Sequence, residues 1–242
     1  MIKYIRILVL LSSFVFLPGC GIIDYFFLPK PEDTAQETFE LARDAMQDKK
    51  YKEAAEYFAK VKDTYPFSPY ATEAELSLGD AYFLQKKYVE AAEAYKEFES
   101  LHPRHASIPY VLYQIGLSSM NQFISVDRPT TMVEQAMEYF NRVQQQFPDT
   151  EYAKKSAEQV HECRKRMAEH ELYLGDMFWH MKKYGSAWRR YMYIVQTYPD
   201  VPEVSTHANE KATAAFHHYQ KQLSEADRRK LNSNWHEWFK WL

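Results

Sequence analysis

From Asp33 onward, apolar and small residues recur along the chain with the period of an amphipathic helix. Ala, Glu, Lys, Gln, Leu and Met fill most windows of this region, and these are residues that helices prefer. The chain has only 6 glycines, so it holds little material for tight β-turns. The pattern therefore predicts an all-α fold for residues 33–242, preceded by a different kind of segment.

The same order of small, aromatic and proline residues recurs in four successive segments of the chain. In the second segment, Gly79 lies on one predicted helix, Ala91 and Tyr95 lie on the next, and Pro103 ends the pair. This is the order of tetratricopeptide repeats, in which small residues let two helices approach closely. The corresponding positions elsewhere are Ala42, Ala54, Phe58 and Pro66; Gly116, Ala136, Phe140 and Pro148; and Gly175, Ala187, Tyr191 and Pro199.

Repeats of this kind stack because one antiparallel helix pair cannot bury its own apolar face. We therefore expect a right-handed superhelical solenoid of about five helix pairs, with a concave inner surface of the kind that binds peptides. The predicted units cover about 35–68, 69–105, 108–149, 151–201 and 202–241.

The third unit is longer than the second. Gly116 and Ala136 are separated by eight more residues than Gly79 and Ala91. The difference predicts a loop of about Phe123 to Thr130 between the two helices of the third unit.

The end of the repeat region is also irregular. A long interval between Pro148 and Gly175 predicts an extended first helix in the fourth unit, from about Glu151 to Met181. Beyond it, the pattern predicts a final pair of helices over residues 203–222 and 224–241, with the Trp-rich end capping the solenoid.

Residues 1–19 have the layout of a bacterial lipoprotein signal peptide. Lys3 and Arg6 flank the start of an apolar run, Ile7 to Phe16, which is too short to span a bilayer as a helix. The run ends at Leu17-Pro18-Gly19-Cys20, which resembles the lipobox of these proteins, with Pro18 in place of the small residue usual there. The resemblance implies that Cys20 is the mature N-terminus.

By the same resemblance, Cys20 carries N-acyl and S-diacylglycerol chains, which hold a protein stably to a membrane. Residues 20–32 are then a lipidated N-terminus and linker. Gly21, rather than an aspartate, follows the cysteine, and in enterobacterial lipoproteins this implies the outer membrane.

Charge and motifs argue against several other functions. The net charge is -3, and it becomes more negative when the predicted leader is removed, which disfavours a nucleic-acid ligand. His-Glu pairs at His161, His170 and His236 lack the second histidine of a zinc-protease motif. The sequence has no glycine-rich phosphate loop, nucleophile elbow or paired-cysteine metal motif. We expect no enzymatic activity, no metal and no cofactor beyond the covalent lipid.

Together these features resemble the BamD family, also called ComL or YfiO, lipoproteins of the outer-membrane β-barrel assembly machinery. The most particular elements are the lipobox, Tyr51-Lys52-Glu53-Ala54, the insertion with Val126-Asp127-Arg128 and the long helix after Pro148. The resemblance implies a lipid-anchored protein on the periplasmic face of the outer membrane. It also implies binding to a BamA-like barrel-assembling subunit, to accessory lipoproteins and to C-terminal segments of unfolded outer-membrane proteins.

Such a segment is extended, apolar at alternate residues and often ends in an aromatic residue with a free carboxylate. Helix periodicity turns eight side chains of the first three units towards the expected concavity, although packing as inter-repeat core is the more common role of such side chains. These candidate peptide-binding residues are Phe39, Arg43, Met46, Asp80, Phe83, Tyr110, Tyr113 and Met120.

Arg189 and Arg190 are the candidate residues for docking a partner. They lie between the predicted core positions Ala187 and Tyr191, which places them on an outer helix face. Adjacent exposed arginines suit an acidic partner, and a solvated charge pair is the alternative.

Two other functions remain compatible with a tetratricopeptide-repeat lipoprotein. One is a different periplasmic adaptor, such as a secretin pilotin or a cell-wall coordinator, and the other is a general periplasmic chaperone. The third-unit insertion and the full-length solenoid favour barrel assembly over a different adaptor. A chaperone would bind many unfolded chains weakly, without a fixed membrane partner.

Overall fold

The computed structural model describes residues 34–239, with side-chain environments for residues 34–225, 229 and 230. Within these residues the chain forms helices joined by turns and loops. Four helix pairs and a final long helix follow one another: α1 (Ala35–Gln47) with α2 (Tyr51–Thr64), α3 (Ala71–Leu84) with α4 (Tyr88–Leu101), α5 (Ile108–Asn121) with α6 (Thr131–Gln146), α7 (Glu151–His180) with α8 (Tyr184–Thr197), and α9 (Pro202–Phe239). The predicted leader, Cys20 and the linker lie outside the described residues.

Each helix packs against the next one from α1 to α9, so the core runs through the whole stack. The largest fully buried side chains are aromatic residues of the second helices: Phe58, Tyr95, Phe98, Phe140 and Tyr191. Alanines beside them, such as Ala54 and Ala91, are also fully buried. The predicted all-α tetratricopeptide-repeat solenoid is confirmed.

Glycines on the first helices leave room for these aromatic rings. A Cβ atom added to Gly79 would lie 2.6 Å from Cε1 of Tyr95, and one added to Gly175 would lie 2.5 Å from Cε1 of Tyr191. Both distances are far below van der Waals contact, so the ring and the glycine backbone touch directly. The predicted role of the small residues in close helix approach is confirmed.

The close approach makes Gly79 sensitive to a single added methyl group. Alanine normally stabilises a helix by about 1 kcal/mol relative to glycine. Here Gly79→Ala is expected to destabilise the protein by about 1–3 kcal/mol, because the buried ring of Tyr95 has nowhere to move. Urea unfolding measures the change, and a variant more stable than the natural chain would contradict this account of the contact.

Both irregularities predicted between Gly116 and Gly175 are confirmed. Residues 122–130 form a loop between α5 and α6, and α7 runs for 30 residues. Nδ1 of His170, on α7, donates a hydrogen bond to the carbonyl oxygen of Val126 at 2.6 Å. The long helix therefore contacts the inserted loop.

The prediction of a final helix pair is wrong, because α9 continues from Pro202 to Phe239 without a break. The residues at the predicted break, Gln222, Leu223 and Ser224, include no glycine or proline that would stop the helix. The hydroxyl of Ser224, the first residue of the second predicted helix, donates to the carbonyl oxygen of Lys221 at 2.9 Å, as serines within a helix do. The described part of the chain contains no helix both long and apolar enough to cross a membrane.

Candidate functional site

Two of the eight predicted inner-face residues are buried, which corrects their expected placement. Phe39 is 3% exposed and stacks on Tyr70 with ring centroids 5.3 Å apart. Met120 is 4% exposed and packs in the cluster that contains Phe140. Both side chains fill space between helices, so neither faces an open surface.

The other six keep accessible surface. Arg43 is exposed, and the remaining five are half-buried: Met46, Asp80, Phe83, Tyr110 and Tyr113. A role for these residues in peptide binding stays a prediction.

Three tyrosines from two units form an aromatic cluster at this face. The ring centroid of Tyr152 lies 5.6 Å from that of Tyr110 and 5.8 Å from that of Tyr113. Tyr152 belongs to the first turn of α7 and was not predicted, although its position just after Pro148 places it where a new first helix begins. The cluster offers half-buried aromatic surface to an apolar ligand.

Asp80 lies at the centre of a hydrogen-bonded group beside these rings. Its Oδ1 atom accepts from the hydroxyls of Tyr95 at 2.6 Å and Tyr110 at 2.5 Å. The Nε2 group of Gln114 donates to the Tyr110 hydroxyl at 2.8 Å. Burial raises the pKa of the Asp80 carboxyl above its usual value, despite the two hydroxyl donors that lower it. Burial also raises the pKa of both tyrosines.

The fourth unit has an equivalent pair of aspartate and tyrosine, with Lys211 beside the aspartate. Oδ1 of Asp176 accepts from the Tyr191 hydroxyl at 2.6 Å, and Nζ of Lys211 lies 2.7 Å from each carboxylate oxygen. The group lines a cavity of about 280 Å³ together with Trp179 and His180. Sequence reasoning missed this cavity, although the spacing from Asp176 to Tyr191 matches that from Asp80 to Tyr95.

The other units explain why the aspartates occur where they do. Phe58 and Phe140 occupy the positions of Tyr95 and Tyr191, and a phenylalanine ring needs no hydrogen-bond acceptor. Arg43 and Leu117 correspondingly replace the aspartate in those units. Asp80 and Asp176 therefore accept the hydrogen bonds that the hydroxyls of Tyr95 and Tyr191 donate.

The two candidate docking arginines lie on α8, as expected. Arg189 is exposed and donates to Oγ of Ser186 at 3.3 Å. Arg190 is half-buried, and its Nη1 group lies 2.8 Å from a carboxylate oxygen of Glu171 on α7. Both arginines line a shallow groove of about 420 Å³ that also includes Phe178 and Tyr193.

The described residues include side chains of the kinds that ligate metals, and they include a cysteine thiol. Among these residues, the His, Cys, Asp and Glu side chains form no group of three that could hold a metal ion. The free thiol of Cys163 is buried, and burial raises its pKa to about 12. Cys163 therefore packs as a small apolar residue.

Comparison with known proteins gives consistent matches along the chain. The family model of YfiO, described as an outer membrane lipoprotein, matches residues 31–232. The outer membrane protein assembly factor BamD of Xylella fastidiosa (strain Temecula1) is 26% identical over 247 residues, covering 96% of this chain and 83% of that protein. BamD of Vibrio cholerae is 25% identical, covering 70% of this chain and 75% of that protein.

Some matches are shorter. BamD of Caulobacter vibrioides is 29% identical over 132 residues, and the match spans 54% of this chain but only 43% of that protein. Among solved structures, the TPR2AB domain of yeast Sti1 in its pHSP90 complex is 12% identical, with a TM-score of 0.47, covering 77% of this chain and 71% of that one. Because the family model accounts for most of the sequence, this chain belongs to the YfiO family of outer membrane lipoproteins.

Proposed function

We propose that this chain is an outer membrane protein assembly factor, anchored by acylated Cys20 on the periplasmic face of the outer membrane. It acts as a scaffold that holds a barrel-assembling, BamA-like subunit, accessory lipoproteins and unfolded barrel precursors, and it catalyses no reaction. The observation that carries the proposal is the match to a BamD protein over 96% of the chain.

The inner face of the first three units is the proposed site for the C-terminal segments of unfolded barrel proteins. Alternate apolar side chains of an extended segment would lie against Phe83 and the cluster of Tyr110, Tyr113 and Tyr152. Arg43 is exposed and has no hydrogen-bond or ion-pair partner among the described residues, so it is available for a terminal carboxylate.

The groove on the fourth unit is the proposed docking site for the barrel-assembling subunit. Arg189 and Arg190 supply two guanidinium groups for acidic side chains, and the 45% exposed ring of Tyr193 supplies apolar contact area beside them. Arginine, with its planar fork of donors, suits a specific carboxylate contact better than lysine does.

Arg190→Glu tests this docking site in a detergent-extracted pull-down of tagged chain from the native membrane. We expect the natural chain to recover a large outer-membrane barrel protein with periplasmic domains, and Arg190→Glu to reduce that recovery at least tenfold. Arg104→Glu is the matched control, because Arg104 is exposed in the turn between α4 and α5 and lies far along the stack from the groove.

Loss of folding must be separated from loss of docking, since Arg190→Glu also breaks the ion pair with Glu171. Arg189→Glu gives a second result without that complication, and thermal unfolding of each variant checks the fold. Recovery of secretin or cell-wall proteins without a barrel protein would instead support a different adaptor. Weak recovery of many unfolded proteins, unchanged in both variants, would support a general chaperone.

A further inference from the structure

Three turns carry the same three residues between the first and second helices of a unit. They are Lys49-Lys50-Tyr51, Lys86-Lys87-Tyr88 and Lys182-Lys183-Tyr184. All six lysines are exposed. Only Lys50 has an ion pair among the described residues, with Asp48 at 3.0 Å, and it is a solvent-exposed one. The turns thus present largely unneutralised positive charge.

Hydrogen bonds show that the first two of these turns and the loop at residues 122–130 lie side by side. Nε2 of Gln85 donates to the carbonyl oxygen of Tyr51 at 2.9 Å, and Nε2 of Gln122 donates to that of Tyr88 at 3.3 Å. On the last helix, Nε2 of Gln222 donates to the carbonyl oxygen of Lys182 at 3.0 Å. We call residues 48–52, 85–89, 122–130 and 181–185 the turn edge, because each segment joins the first helix of a unit to the second.

Local folding does not account for the first lysine of each pair. Lys49, Lys86 and Lys182 have φ angles of 60°, 62° and 57°. This left-handed conformation closes the preceding helix and is normally taken by glycine, or sometimes asparagine. A cation gains from the nearby helix C-terminus, but glycine would take the same backbone without strain.

The second lysine of each pair is also unfavourable where it stands. Lys50, Lys87 and Lys183 occupy the N-cap positions of α2, α4 and α8, without a side-chain capping hydrogen bond. Serine, threonine, aspartate or asparagine would cap the helix there, and positive charge opposes the helix dipole. Local stability does not favour lysine at either position, so its presence at both positions of three turns indicates a role other than stabilising the turns.

The turn edge differs in composition from the rest of the molecule. Its four segments contain seven lysines, one arginine and two acidic residues, although the whole chain has a net charge of -3. At the opposite side of the stack, the turns after the second helices carry Asp149 and Asp200 as well as Arg104. The positive charge is thus concentrated on one side.

Exposed apolar side chains accompany the lysines. At or beside the turn edge, Leu84 is 45% exposed, Val89 is 52%, Ile124 is 85% and Met181 is 54%. Basic residues interspersed with exposed apolar ones are the composition of surfaces that bind at a lipid interface.

We infer that the turn edge binds the surface of an anionic phospholipid membrane, with the lysines on the headgroup phosphates and the apolar side chains at the boundary of the acyl region. Lysine, with its flexible side chain, suits many mobile phosphates, whereas a folded acidic partner is better matched by arginine's fixed fork. Each lysine near such a surface strengthens binding roughly fivefold. The inference rests on the turns alone and needs neither the partners proposed above nor acylation of Cys20.

Co-sedimentation with vesicles tests the inference, using the chain from Gly21 onward, which keeps every described residue. The vesicles are 3:1 phosphatidylethanolamine and phosphatidylglycerol, or phosphatidylcholine alone as the neutral surface. The test variant combines Lys49→Gly, Lys86→Gly and Lys182→Gly, and the matched control combines Arg104→Gln, Lys154→Gln and Lys165→Gln. Both remove three positive charges, but only the first removes them from the turn edge.

We expect the natural chain to bind the anionic vesicles with salt-sensitive affinity and to leave the neutral ones unbound. The glycine variant should lose at least tenfold in affinity while its melting temperature stays equal or rises, because glycine relieves the left-handed strain. The control should stay within about twofold. Equal losses in both variants, or equal binding to both vesicles, would overturn the inference. Binding to oligoglutamate without binding to anionic vesicles would overturn it too and assign the edge to an acidic protein.

Discussion

Replacement of Tyr95 by alanine is expected to lower the free energy of unfolding by about 3–5 kcal/mol. The side chain is fully buried, its ring touches the backbone of Gly79, and its hydroxyl donates to Asp80. Alanine would leave a cavity between α3 and α4 and remove one of the two donors that hold the half-buried carboxylate of Asp80. Urea unfolding measures the loss. The comparison requires the same slope of unfolding free energy against urea concentration in the variant and in the natural chain.

Tyr193→Ala is the control for this variant, because its ring is 45% exposed and its loss should cost about 0.5 kcal/mol or less. Tyr95→Phe should fall between the two, since it keeps the ring and removes only the hydrogen bond to Asp80. Similar effects for Tyr95→Ala and Tyr193→Ala would contradict the packing described for the second unit.

The Cys20→Ala variant is expected to leave the outer membrane. It is secreted with a leader that a general signal peptidase removes. The natural chain should pellet with membranes almost completely after a high-salt wash, because the acyl chains proposed for Cys20 would anchor it. The variant should be almost entirely soluble after the same wash, a change of roughly a hundredfold or more. The wash matters because salt also weakens any contact made by the turn edge.

The chain's second cysteine supplies the control for the anchor. Cys163 is buried in the helical stack, so Cys163→Ala should pellet like the natural chain. Mass spectrometry of the N-terminal peptide checks the modification itself. An unmodified Cys20 in the natural chain, or a Cys20→Ala chain that stays in the washed pellet, would contradict the proposed anchor.

The repeat architecture was predictable from sequence because its packing rule is local. Residues equivalent to Gly79, Ala91 and Tyr95 occur in other units, and in the structure the members of each set pack close to one another. The loop at residues 122–130 and the long α7 followed from departures in the same spacing. The end of the stack was less predictable, because Leu223 and Ser224 are compatible with a turn as well as with a continuous helix.

Individual inner-face residues were harder to place than the helices themselves. Periodicity assigns Phe39 and Met120 to a face of their helix, but it does not say how closely the next helix packs on that face. The structure shows both side chains buried. Tyr152 joins Tyr110 and Tyr113 only because α7 begins beside α5, a tertiary contact that spacing along one helix does not reveal.

The two surfaces proposed for protein partners lie on different helices. The inner-face cluster involves α3, α5 and the start of α7, whereas the arginine groove lies on α8 and the end of α7. The turn edge lies where the first helices end and the second helices begin, and it adjoins both surfaces: Phe83 contacts Tyr88, and Ser186 of the groove follows Gly185.

Depletion of the chain from its native cell tests the central proposal most directly, with folded barrel proteins in the outer membrane as the readout. Folded barrels migrate faster than heated ones on a gel, so the folded fraction can be measured for several barrels together. We predict that this fraction falls severalfold as the chain is depleted and returns with the natural chain but not with Arg190→Glu. Unchanged barrel folding, with loss of secretin multimers or of cell-wall synthesis instead, would contradict the proposal.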